Sequence, residues 1–123
     1  MLYAILCYDA EEVVGAWSAE EDARAIAKLE VVQEGLARAG RLGPVARLRP
    51  TKEARTLRKG REALVVDGPF AETKEQLLGF FVVDCKDMDE AVAAAKDLAA
   101  ASSSAGCYEI RPLALFKPGA VAR

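Results

Sequence analysis

The 123-residue chain contains no histidine. That absence removes Ser–His and Cys–His nucleophile pairs, the commonest metal ligand, and the default acid–base group near neutral pH. Any catalysis falls to Asp, Glu, Lys, Tyr or a bound cofactor, and no cofactor or metal site is indicated. Cysteine is scarce. Cys7, Cys85 and Cys107 are odd in number and widely spaced, which fits neither a disulfide framework nor a zinc site. They lie in or at the ends of apolar stretches and read as buried thiols acting as small hydrophobes. No apolar run approaches the ~20 residues needed to span a bilayer, so no membrane partner is expected. Met1–Asp9 lacks the basic leader and long apolar stretch of a signal peptide, which makes the cytoplasm the expected compartment. A glycine-rich phosphate loop is also missing, because Gly15, Gly40 and Gly43 are scattered.

The net charge is −2, which argues against nucleic acid as the main partner. The charge is unevenly spread. Arg47–Arg61 holds seven basic residues and one acid, Glu53, leaving 10 basic and 18 acidic residues elsewhere. This run has no interleaved aromatics. It reads either as a solvated strand edge, where Lys and Arg resist edge pairing, or as a surface for phosphates or a protein partner.

The apolar pattern predicts a strand over Leu2–Tyr8, nonpolar at every position. A helix should start at Ser18, since Ser18 and Glu21 have the spacing of a capping box. Ile26, Leu29, Val32 and Leu36 give that helix an apolar stripe, and Gly40 is a good stop. A second strand is expected over Leu42–Leu48. A hairpin should join Arg55–Arg58 to Ala63–Val66, with Gly60 supplying a positive φ at the turn. Leu77–Asp84 reads as a strongly apolar strand broken only by Gly79. Asp87 caps a helix striped with Met88, Ala91, Ala95 and Leu98, a loop covers 102–106, and Cys107–Phe116 is a last strand. Residues 1–117 then make one domain with a frayed tail over 118–123.

This order, β-α-β-(hairpin)-β-α-β, is that of a ferredoxin-like α+β sandwich with an extra hairpin. Two helices cover one face of the sheet, yet Leu2–Tyr8 and Leu77–Val83 are apolar on both. The expected cover for the other face is a second copy packed across a two-fold axis, making a homodimer.

The densest polar cluster is Asp67-Gly68-Pro69-Phe70-Ala71-Glu72-Thr73-Lys74-Glu75-Gln76, which leads directly into an apolar strand. It closely resembles the DGPF family of YCII-related proteins. So do Gly79-Phe80-Phe81-Val82-Val83, Asp87-Met88-Asp89-Glu90-Ala91 and Glu109-Ile110-Arg111-Pro112-Leu113. The resemblance covers essentially the whole chain in order. It implies a ferredoxin-like subunit, a dimeric α/β barrel, and a pocket between sheet and loops. It also implies a histidine–aspartate pair in YCII-like relatives, which this chain cannot carry. Some relatives are encoded near, or fused to, extracytoplasmic-function sigma factors, which implies a regulatory setting.

The candidate site residues each have two readings. Asp67 is either a turn carboxylate accepting backbone N–H groups around Gly68 and Pro69 or a catalytic base. Phe70 is a core plug or a stacking wall. Glu72 and Lys74, two apart in an extended segment, point the same way. With Thr73 they form either a self-capping turn or a cradle for a small polar ligand, with Glu72 as an alternative base. Glu109 and Arg111 share a face of the last strand and, inside a barrel, need each other, Glu72, Lys74 or a ligand as partner. Tyr3 and Tyr8 line that cavity or belong to the core. The expected protein is a homodimer binding a small polar molecule; the rival is a noncatalytic partner protein that docks, for example, a sigma factor through the basic hairpin.

Overall fold

A computed structural model describes residues 1–102 and 104–122. Strand β1 (Leu2–Asp9) is followed by a short helix α1 (Glu11–Gly15) and a long helix α2 (Ala19–Arg38). Strand β2 (Leu42–Arg47), a 3-10 turn (Thr51–Glu53), strands β3 (Arg55–Arg58) and β4 (Leu64–Asp67), strand β5 (Gln76–Asp84), helix α3 (Met88–Ala101) and strand β6 (Cys107–Pro112) complete the chain. β2, β5, β1 and β6 form one antiparallel sheet in that order, while β3 and β4 pair only with each other. The strand order and the two helical crossovers are those of a ferredoxin-like α+β fold.

Local chemistry sets the helix ends. Ser18 Oγ accepts the Glu21 N–H, and the Glu21 carboxylate accepts the Ser18 N–H, both at 3.1 Å, closing the capping box. At the other end Gly40 has φ 71°, and its N–H donates to Ala37 while that of Arg41 donates to Leu36. That pair of bonds is a Schellman stop. Asp87 accepts the Glu90 N–H at the start of α3. Arg41 then ties this end of the molecule together, reaching the Asp84 carbonyl, Cys85 Sγ and the Glu90 carboxylate at 3.2–3.3 Å.

The sheet register shows which side chains meet the helices. The first rung runs Leu42, Val83, Tyr3 and Pro112 across the four strands, and the second runs Val45, Phe81, Ile5 and Ile110. Tyr3, Ile5, Phe81 and Val83 are buried there against Leu36 of α2 and against Ala91, Ala94, Ala95 and Leu98 of α3. The alanines let α3 lie close to the sheet. The opposite face presents Leu2, Ala4 and Leu6, each half-buried, opposite Asp84, Val82 and Phe80. Between Cys7 and Tyr8 a bulge shifts the β1–β5 register, so Tyr8 faces Leu77 and Asp9 faces Gln76.

Several expectations are corrected. Helix α1 precedes Ser18, the expected start of the first helix. Strand β6 stops at Pro112 instead of Phe116, since proline has no N–H for the ladder and only the Leu113 N–H continues it, to Leu2. The β3–β4 turn uses no positive φ, whereas Gly68, just after β4, has φ +100°. Ile26 and Met88, placed on the apolar stripes, are exposed. Cys107, expected inside, is exposed on an edge strand. The basic hairpin is not an edge of the main sheet but stands apart from it. Ser103 of the predicted loop and Arg123 of the predicted tail lie outside the described residues. No helix among the described residues is long and apolar enough to cross a membrane.

Ser18→Ala is expected to cost about 1 kcal/mol, read as a lower urea midpoint with an unchanged slope. Hydrogen bonds from Ser18, the backbone one first, hold the Glu21 carboxyl below its ordinary value. Its contribution is complete above the unfolded-state value and is lost as pH falls through the lowered folded value, so the penalty of Ser18→Ala should shrink in acid.

Candidate functional site

The third rung of the sheet carries the site. It reads Arg47, Gly79, Cys7 and Tyr108 across β2, β5, β1 and β6. Where the first two rungs place Tyr3 and Val83, then Ile5 and Phe81, at the centre, this one places a thiol and a hydrogen atom. The central bulk falls away, and the N-terminal half of α2 has nothing large to rest on. A cavity of about 360 Å³ opens there between α2 and the sheet. Ala25, Ile26 and Leu29 form its roof, and Trp17 with Val14 of α1 its side wall. A second cavity of about 260 Å³ adjoins it beneath α3, sharing Tyr8, Asp9 and Tyr108.

The polar groups stand around this apolar space. Arg47 is held by Asp22 through two contacts, at 2.9 and 3.2 Å. The Asp9 carboxylate accepts the Ala10 N–H at 2.8 Å, and Glu30 and Gln33 lie farther along α2. Gly106 packs so tightly on the end of β1 that a β-carbon there would stand 1.9 Å from the Tyr8 carbonyl oxygen and 2.9 Å from Asp9 Cγ. That close approach fixes the loop after α3 against Asp9. Glu11 of α1 accepts both the Thr51 N–H and its hydroxyl, which anchors the Trp17 wall to the base of the hairpin.

Burial governs the titrating groups. It pushes the Cys7 thiol up to about 12. It also pushes the Tyr108 hydroxyl to about 12, with the neighbouring Cys7 adding to the shift. Both therefore remain protonated at neutral pH and serve as hydrogen-bond donors, so Cys7 is no nucleophile. The Tyr108 ring packs edge-on to Phe81 with centroids 6.3 Å apart. Burial, followed by its hydrogen bond to Glu109, raises Tyr8 above its ordinary value.

The residues expected from sequence are placed elsewhere. Asp67 has a 94% exposed side chain, 3.6 Å from Arg55. Phe70 is 77% exposed and plugs no core. Glu72, Thr73 and Lys74 are exposed, no ion pair joins Glu72 to Lys74, and the Thr73 hydroxyl donates to the Glu75 carbonyl. Glu109 and Arg111 lie opposite Leu6 and Ala4 on the sheet face away from the helices, Glu109 accepting the Tyr8 hydroxyl at 3.2 Å. Tyr3 belongs to the core. None of the seven candidates lines the cavity. The loop does deliver the chain to it, since Gln76 pairs with Asp9. Among the described residues no three Cys, Asp or Glu side chains converge as metal ligands.

Asp9, Trp17 and the Cys7–Gly79 pair were missed. The glycine inside an apolar strand was the available signal, but its meaning depends on a register joining residues 72 positions apart.

Residues 1–117 match the YCII-related domain. The chain is also 59% identical over 120 residues to the uncharacterized protein R00369 of Rhizobium meliloti (strain 1021), with 97% of each chain covered.

Thiol labelling checks the burial argument. At pH 8, Cys7 and Cys85 should resist an alkylating reagent in the folded protein, while all three thiols react in denaturant. Rapid modification of Cys7 in the native state would contradict a raised pKa.

Proposed function

This chain belongs to the YCII-related domain family, and on that footing we propose that it acts as a cytoplasmic homodimer that binds a small polar molecule in the cavity at the end of β1. The cavity itself carries the reading. It is largely apolar, lies between a helix and a sheet, and has a few polar groups at its margin, which is the usual form of a small-molecule site. Asp9 supplies the inner polar contact. Glu72, Thr73 and Lys74 stand outside the cavity lining, on the exposed loop that enters the sheet beside Asp9, and would serve as outer contacts for a ligand extending beyond its mouth, with Asp67 and Phe70 farther back on that loop. Chemistry on such a ligand would rest on carboxylates as bases, Asp67 or Glu72 on the loop and Asp9 within.

The homodimer reading is supported by the sheet face that neither long helix covers. Leu2, Ala4 and Leu6 form an apolar row that neither long helix touches, and a second copy of the same face would bury it. Glu109 and Arg111 on the edge strand would then stand at the rim of the joined sheets, closing the dimeric barrel.

A second reading is favoured by the hairpin. Leu57, Leu64, Val65 and Val66 are all exposed on β3 and β4, alongside Arg55, Arg58, Lys59 and Arg61. Two-stranded hairpins are marginal by themselves, so this surface suits a protein partner with acidic and apolar groups, such as a sigma factor.

Native mass spectrometry should show twice the mass of one chain, and Leu6→Glu should yield folded monomer. A wild-type monomer would remove the dimer. Releasable added mass would support the ligand, and Asp67→Asn with Glu72→Gln should weaken its retention if the loop contributes. For the second reading, changing Arg55, Arg58 and Arg61 together to glutamate should abolish binding of a co-purifying protein while the dimer persists. A partner that survives the reversal would leave the hairpin as a charged surface only.

A further inference from the structure

Resting on the small-molecule reading of the cavity, we infer that its ligand is cationic, an amine joined to an apolar or aromatic body. The charges facing the space come from several elements. Asp9 stands at the end of β1, Asp22 and Glu30 on α2, and Arg47 on β2. Arg47 is the one cation among them, and it is already held by Asp22 through two contacts. Lys96 of α3 borders only the adjoining cavity. A ligand therefore meets the carboxylates of Asp9 and Glu30, and among the described residues that line this space no second cation stands beside them.

The walls strengthen that choice. Val14, Ala25, Ile26 and Leu29 offer apolar contact to the body of such a ligand and reduce its exposure to water. In such surroundings a carboxylate attracts an ammonium group far more strongly than it does in bulk water. Trp17 and Tyr108 present aromatic rings to the same space, and aromatic faces favour cations over anions. An anionic ligand would face Asp9 and Glu30 with neutral donors such as Gln33, Ser102, Ser104 and Tyr108 to offset the repulsion, because Arg47 is engaged by Asp22.

Trp17 is the sole tryptophan, so its fluorescence reports occupancy directly. The probes are phenethylamine, 2-phenylethanol and 3-phenylpropionate, which share one body and differ in charge, each titrated to 5 mM and repeated by calorimetry. The amine is expected to bind at least about tenfold more tightly than the acid, with the alcohol between them. Added salt should reduce that preference. Asp9→Asn should reduce amine affinity by about tenfold and leave the alcohol unchanged. If that variant does not fold, Glu30→Gln and the salt dependence of the unaltered protein take its place. Equal or tighter binding of the acid overturns the charge assignment but leaves the cavity as a binding site. No binding by any of the three overturns both.

Discussion

The structure depends on a sheet covered by helices on one face only. β1 and β5 are its central strands, apolar on both sides, and two helices use up the covering elements the chain provides. Everything on the helix side follows from filling the space above Tyr3, Ile5, Phe81 and Val83. On the face bearing Leu2, Ala4 and Leu6 the apolar side chains are only half-buried.

The cavity and the core are two ends of one gradient. α3 lies flat because its inward positions are alanines with Leu98 between them. α2 reaches the sheet at Leu36 but stands off at Ala25, where the sheet below carries Cys7 and Gly79. Close packing fails there for lack of side-chain volume, and the partly buried Cys7 and Tyr108 stand at the floor of the resulting space. Asp9 is held at its edge by the bulge in β1–β5 pairing and by the tight contact of Gly106.

Much of the fold was legible in the sequence. The Ser18–Glu21 capping box, the Asp87 cap, the Gly40 stop and the hairpin strands are local signals read by local chemistry, and they fixed the order of elements. The candidate site was far less legible. The polar loop from Asp67 to Gln76 drew attention because its charges are dense, yet density alone does not make side chains converge. The cavity arises instead where two small residues, distant in sequence, fall on one rung of the sheet. No composition or periodicity reveals that coincidence, and α1, five residues long, gave too little repeat to distinguish it from a connection.

The position of β1 at the centre of the sheet also orders events in time. Its hydrogen-bonding partners are β5, beginning at Gln76, and β6, ending at Pro112. During synthesis at roughly 5–20 residues per second, Leu2–Asp9 therefore leaves the ribosome several seconds before either partner exists. Its apolar run, Leu2–Tyr8, must wait unpaired while α2 and the hairpin are made. A strand at the centre of the finished sheet thus waits for its partners, and the nascent chain is open there to chaperone capture or misassociation until β5 has emerged.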